Sequence, residues 1–509
     1  MNNTKRMALL NSFSSSGVYA IKMIVTLFTR AVFIQQLGMS LLGVQGVFTN
    51  VLAMVSLAEL GVGSSLSLVL YKPLVNRDAE TITKLMTFFK RVYLVISAVV
   101  LLLGIVALPL LPFLGKGLEL SAVGTYYLLF LANTVVSYLF TYKRTLLNAN
   151  QFGYISTLND FFVWLFVQIL QVIVLLLFQN FYIYLIIQIL GTVISNLNIS
   201  RIVSERFPNY VKKNGETISK ELKDDIKRNT VGSLSAKLGQ IVINSTDNIL
   251  ISMFSGLKMV AIYSNYSVII ASGIQALLIQ ALYSITPSIG YFVNTKSEQD
   301  QVGLYKTVLH YAMLFLTLTV PGMLLVATDF IKLWTGSQFV LPQLTLLVMV
   351  MNFIVAVIRV ATQSFINAKG LAWFARKRPI VESLSNLIIS LGLVTIGNLG
   401  VSGIVLGTLV SSLFVGLIYE VHILFKYGFS ERVVLPIGYI VKIFLILAFI
   451  VMTSFLTNVL LTVLPNLWLD TTVRVLVSLV ISAFFGVTNL SREQKLQVLR
   501  LISFSKRKE

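Results

Sequence analysis

The 509-residue sequence contains no cysteine and only two histidines, His310 and His422. Disulfides, a thiol nucleophile and a Cys- or His-rich metal centre are thereby excluded. Charged residues make up 12% of the chain, about half the roughly 25% usual in soluble domains. No GxxxxGK[ST] motif is present, so the sequence offers no phosphate-cradling loop of that kind and no cofactor is expected. The N-terminus also lacks a short apolar region ending in a small-residue cleavage site, and the first apolar segment is expected to be retained. What remains is apolar: hydrophobic residues are 56% of the total and mean hydropathy is +0.85. These values belong to multi-spanning membrane proteins, whose backbone polar groups must be satisfied within each helix.

Apolar runs separated by charged or Pro/Gly punctuation predict about fourteen transmembrane helices, from 11–37 at the start to 471–488 at the end. An even number puts both termini on one side. Lys and Arg number 40 against 20 Asp and Glu, a net charge of +20. Counted loop by loop with the N-terminus inside, 31 of the 40 cations fall in alternate loops and only Lys116, Lys258 and Lys332 in the intervening ones. This asymmetry orients the chain with both termini cytoplasmic, and it accounts for the positive charge without a nucleic-acid partner. The longest polar stretch suggests a division into an N-terminal lobe (1–203, six helices), a cytoplasmic linker (204–228), a C-terminal lobe (229–430, six helices) and two further helices with a basic tail (431–509). The second lobe echoes the first: Gly256 and Ala261 repeat the spacing of Gly38 and Gly43, and Asp247 falls within one residue of the position equivalent to Arg30. Parallel repeats of this kind are common in transporters.

Polar residues are not scattered among these helices. In the first, Ser15, Lys22, Thr26, Thr29 and Arg30 form one narrow stripe, with Ile21, Ile24, Phe28 and Val32 on the remaining surface. A lipid-facing cation at mid-helix costs at least ~2.5–3.5 kcal/mol, so the stripe should face protein or a water-filled cavity. The seventh helix aligns Ser233, Lys237, Gln240, Asn244, Asp247 and Asn248; the tenth aligns Asn352, Arg359, Gln363 and Asn367; the fifth aligns Asp160, Trp164, Gln168 and Gln171. The second carries Asn50 and Glu59. Lys22, Arg30, Lys237 and Arg359 are the candidate ligands of an anionic group, Lys as a point charge and Arg as a forked donor. Glu59, Asp160 and Asp247 are candidate salt-bridge partners or binders of a coupling Na⁺ or H⁺. Asn50, Gln240, Asn244, Asn248, Asn352 and Gln363 are candidate polar lining, with interhelical hydrogen bonding as the competing role of each amide.

Residues 28–74, FTRAVFIQQLGMSLLGVQGVFTNVLAMVSLAELGVGSSLSLVLYKPL, resemble the start of Wzx-type polysaccharide repeat-unit flippases of the MOP superfamily, relatives of the MurJ lipid II flippase and the MATE exporters. Arg30, Gly38, Leu42-Gly43 and the run Ala58 to Gly63 carry the likeness, together with 244–252, NSTDNILIS, around Asp247. The resemblance implies an all-α, V-shaped membrane transporter of two six-helix lobes plus two C-terminal helices. It further implies alternating-access translocation of an undecaprenyl-diphosphate-linked oligosaccharide across a bacterial cytoplasmic membrane for polysaccharide biosynthesis, with a polymerase, assembly proteins and membrane lipids as partners. Such a protein is a transporter and not an enzyme. A lipid II flippase and a MATE-like drug/cation antiporter are the alternatives.

Overall fold

The computed structural model describes residues 3–59, 62–114, 120–150, 152–210, 218, 222–223, 226, 245–283, 286–430, 437–461 and 466–489. Lys237, Gln240 and Asn244, most of the expected linker and the basic tail lie outside them. Every regular element among the described residues is helical. Helix α1 (Asn3–Val55) bends at Gly38; α2 (Val62–Asn76), α3 (Ala79–Ala107), α4 (Leu120–Tyr138), α5 (Thr141–Ala149), α6 (Gly153–Phe178) and α7 (Phe181–Arg206) follow. Then come α8 (245–255), α9 (Leu257–Ile269), α10 (Ala276–Tyr283), α11 (Thr286–Thr295), α12 (Glu298–Trp334) and α13 (Gln343–Ala368). The last are α14 (Arg378–Thr395), α15 (Gly400–Val410), α16 (Ile418–Gly428), α17 (Ile437–Leu460) and α18 (Leu467–Asn489).

Among the described residues, ten helices are long and apolar enough to cross a membrane, or eleven if the bent pair α4–α5 is one span, which makes the chain a multi-pass membrane protein. That number differs from fourteen for identifiable reasons. The first two expected spans join at the non-helical Gly38 without a break and so count together, the seventh is described only from residue 245, and α14 has just 18 residues with Arg378 and Glu382 near its start. Gly38 takes φ +83° and Gly256 φ +84°. Only glycine adopts that conformation at little cost, so the two positions matched by the sequence repeat make the same backbone turn.

The chain divides into two compact units, Met1–Ala261 and Ile262–Glu509. In the first, α1 packs on α6, α6 on α7, α7 on α4, and α2 on α5. Gly191 of α7 lies so close to α6 that an added Cβ would sit 2.2 Å from Val167 Cγ2; small residues permit this approach where no hydrophobic effect drives helices together. Residue 43 meets the chain after Gly256 in the same way, since a Cβ there would lie 2.2 Å from the Leu257 carbonyl oxygen.

In the second unit α12 is the central post, packed against α13, α17 and α18. Helix α18 is inside out relative to a soluble helix. Its buried face is Asp470, Arg474, Ser478, Ser482 and Phe485, while Leu469, Leu476, Leu479, Val480 and Phe484 are exposed. Arg474 Nε lies 3.0 Å from Asp329 Oδ2 and 3.1 Å from Asp470 Oδ2, and Nη1 donates to Asn458 Oδ1 of α17. Ser482 Oγ donates to the Leu318 carbonyl at 3.2 Å. Polar bonds and close packing thus hold the C-terminal pair to α12.

Candidate functional site

In the first unit the polar stripe of α1 turns toward α6 and α7, while Ile21, Ile24 and Phe28 stay exposed. Lys22 places its ammonium 5.3 Å from the centre of the Trp164 ring on α6 and close enough to Asp160 for the two charges to act on each other. Asp160 is the centre of a network from three helices. Arg144 Nη1 of α5 donates to Asp160 Oδ2 at 2.5 Å, and Ser195 Oγ of α7 donates to Oδ1 at 2.6 Å. Arg144 Nη2 reaches Ser195 Oγ and Asn196 Oδ1, each at 3.1 Å, and Asn159 Nδ2 donates to Ser195 Oγ at 2.9 Å. The Asp160 side chain nevertheless retains 39% of its surface. Two cations therefore share one partly exposed carboxylate. Eight residues along α1, about 12 Å by helical rise, half-buried Arg30 faces the Tyr184 phenol, which is itself hydrogen-bonded to Gln45.

Arg144 was counted among loop cations in the sequence. The local reason for its inward position is the 42° bend between α4 and α5, which turns a helix end back into the bundle. Its sequence signal was weak: Arg144 stands two residues past Tyr142 in a segment, TYKRTLLNA, that reads as the end of a span.

The second unit treats its deep cation differently. Arg359 of α13 is buried and doubly forked: Nη1 and Nη2 donate to the two oxygens of Glu382 at 2.5 and 3.0 Å, and Nε and Nη2 donate to those of Glu420 at 3.0 and 2.9 Å. Arg378 Nη1 adds contacts to Glu382 at 3.0 Å and Glu420 at 2.7 Å. Gln363 Nε2 donates to Glu420 at 2.9 Å and Gln363 Oε1 accepts from the Tyr283 hydroxyl; Ser412 Oγ donates to Glu382 at 3.1 Å. Two guanidinium groups and two carboxylates balance, with every carboxylate oxygen bonded. The π-helical turn 411–417 helps assemble the cluster, because an added Cβ at Gly416 would lie 2.6 Å from both Arg359 Nη1 and Glu382 Oε1. Glu382 and Glu420 stand within about two turns of the expected helix ends, where a charge reads as headgroup-facing, and the sequence reading omitted both.

The remaining expected residues are dispersed. Glu59 closes a 3-10 turn near Tyr93 and Tyr138; Asp247 is buried in α8. Asn50 Nδ2 donates to the Gly46 carbonyl of its own helix, and Asn352 Nδ2 to the Val405 carbonyl of α15. Asn248 Oδ1 is buried without a hydrogen-bond partner among the described residues. No group of three or more His, Asp and Glu among those residues is arranged to hold a metal ion.

No protein-family model matches the chain, and no curated protein matches its sequence. Solved structures do match in fold. The lipid II flippase MurJ in its inward closed conformation aligns with a TM-score of 0.69 at 14% identity, covering 94% of this chain and 98% of that one. An inward-facing multidrug resistance MATE family transporter of the MOP superfamily gives 0.63 at 16% identity over 80% and 96%. The Vibrio cholerae MATE transporter VcmN gives 0.56 at 15% identity over 85% and 99%. The fold is therefore that of MurJ and the MATE transporters.

Proposed function

We propose that this chain is a flippase that carries an undecaprenyl-diphosphate-linked oligosaccharide across the cytoplasmic membrane by alternating access. The observation that carries the proposal is that two cations, Lys22 of α1 and Arg144 of α5, flank one partly exposed carboxylate, Asp160 of α6. A surplus of lysine and arginine in a low-dielectric setting favours a phosphate-bearing ligand over an organic cation. Half-buried Trp164 and Asn159 offer a ring and an amide of the kind suited to sugars. Lys237, on the matching stripe of the second lobe, is assigned to the same role; Arg359 is assigned to its carboxylate cluster. Asp160 and Asp247 are the candidate sites of Na⁺ or H⁺ coupling.

A lipid II flippase is the second reading. The MurJ alignment includes 94% of this chain where the MATE alignment includes 80%, and lipid II is likewise a diphosphate-linked saccharide in chemistry. Complementation separates the readings. Wild type should restore export of lipid-linked oligosaccharide in cells lacking their own flippase, and Lys22→Ala or Arg30→Ala at matched membrane abundance should lower the rate about tenfold or more, the loss expected for a charge-assisted bond. Rescue of lipid II transport alone selects the second reading. Normal export by both variants refutes the cationic site, and cation efflux that survives both variants points to an antiporter.

A further inference from the structure

Beyond α13 the chain runs through Lys369-Gly370-Leu371-Ala372-Trp373-Phe374-Ala375-Arg376-Lys377 before α14 begins at Arg378. Trp373 is 68% exposed, a large apolar surface only a few residues beyond a transmembrane helix. The segment is fixed rather than loose. Phe374 stacks on Tyr427 at 4.3 Å with planes 12° apart, and Lys369 Nζ donates to the Gly428 carbonyl at 2.5 Å while lying 4.0 Å from the Phe429 ring centre. The α13–α14 connection and the C-terminal end of α16 are thus locked into one platform.

Its cations are left over. Arg376 lies flat on Trp373, 3.2 Å from the ring centre, and its Nη1 is covered without any hydrogen-bond partner. Lys377 and Lys426 are exposed, Lys426 beside the Tyr427 ring. Glu298, whose charge acts on Lys369, accepts from the Ser430 amide at 3.2 Å and its hydroxyl at 2.5 Å. None of Arg376, Lys377 and Lys426 forms an ion pair among the described residues, whereas neighbouring Arg378 is committed inward to Glu382 and Glu420.

We propose that this platform is a binding site for anionic phospholipid headgroups, with Trp373 seated at the headgroup level and Arg376, Lys377 and Lys426 taking the phosphate. An exposed indole at a helix end belongs at the membrane interface, and the position at the end of α13 brings the cations to headgroup depth. An acidic protein would satisfy the charges but would not need an indole and a stacked phenyl at that depth. The site is separate from the stripe of α1 and does not depend on the identity of the transported substrate.

The test is lipid retention by the full-length protein in native mass spectrometry, with phosphatidylglycerol and phosphatidylcholine offered in equal amounts. Wild type should retain phosphatidylglycerol preferentially. Arg376→Gln, Lys377→Gln and Lys426→Gln should each reduce that preference about fivefold, the equivalent of ~1 kcal/mol for one interfacial cation. Trp373→Ala should lower retention of both lipids and leave the preference in place. Lys258→Gln, which removes an exposed cation elsewhere, should change nothing. The proposal is overturned if wild type shows no preference, if the triple variant keeps it at an unchanged unfolding temperature, or if Lys258→Gln reduces it equally. Displacement of the lipid by inorganic phosphate or by polyglutamate at matched charge would also overturn it, assigning the platform to a soluble phosphate or an acidic protein.

Discussion

Arg144 in the first unit and Arg359 in the second are both guanidinium groups that reach a carboxylate at 2.5 Å inside a helical bundle, yet they serve opposite ends. Arg359 and Arg378 meet two carboxylates whose side chains are 2% exposed; Arg144 meets one that is 39% exposed and that also feels the charge of Lys22. The first arrangement is neutral and closed, the second cationic and open. Depth in the membrane therefore does not mark a ligand site. Charge balance and access do, because a buried ion that is fully paired has no field left to offer a substrate.

The sharpest way to break this contrast is to remove each arginine. Arg359→Ala leaves two buried carboxylates with one guanidinium and should destabilise the protein by ~3–5 kcal/mol, read as loss of the folded fraction in a detergent thermal-unfolding assay. Arg144→Ala should cost no more than about 1 kcal/mol, as for a partly exposed pair, while lowering transport strongly. Equal destabilisation by the two would erase the distinction. A smaller effect is expected at Gly416, where the methyl of an alanine would press on Arg359 and Glu382; Gly416→Ala should cost ~1–3 kcal/mol without altering substrate preference. Smaller again, Gln363→Leu removes one donor to Glu420 and the acceptor of Tyr283, and a loss of about 1 kcal/mol in the same assay would confirm that the amide belongs to the closed cluster.

An exposed carboxylate outside the membrane helices supplies the lower limit of the series. Asp78 caps α3, accepting from the Thr81 amide at 3.0 Å and hydroxyl at 2.6 Å, and these bonds hold its carboxyl below the usual range. Because the folded value is the lower one, the stabilisation is present above the unfolded value and disappears as pH falls through the folded one. Wild type and Asp78→Ala should accordingly differ slightly in unfolding temperature at neutral pH and converge in acid. A difference that persists there would show that the cap acts through packing rather than charge.

Much of the architecture was legible because bilayer physics leaves few options. Apolar length and loop charge specify helices, and Gly38 and Gly256, matched by the repeated spacing Gly38–Gly43 and Gly256–Ala261, take φ +83° and +84°. The inward turn of Lys22 followed from the cost of a mid-membrane cation. Pairing was harder to read. Glu382 is 23 residues from Arg359 and Glu420 is 61, so no local pattern joins them, and their places near helix ends suggested solvent. Arg144 was hidden by a bend that hydropathy does not register. Local rules find where a charge is costly; only the packing of three helices shows what compensates it.

The inverted character of α18 has a consequence for how the protein is made. Asp470 and Arg474 offset each other in part, being one turn apart on the same helix, but Arg474 also needs Asp329 and Ser482 donates to the backbone of α12. Alone in lipid, α18 would expose these groups, so its partner must already be in the membrane when it leaves the translocon. Because α12 precedes it by more than a hundred residues, synthesis supplies the parts in the required order. A chain interrupted before α18 leaves Asp329 paired with Lys332 and without Arg474, so the polar face of α12 that α18 covers stays open until the last helix is made.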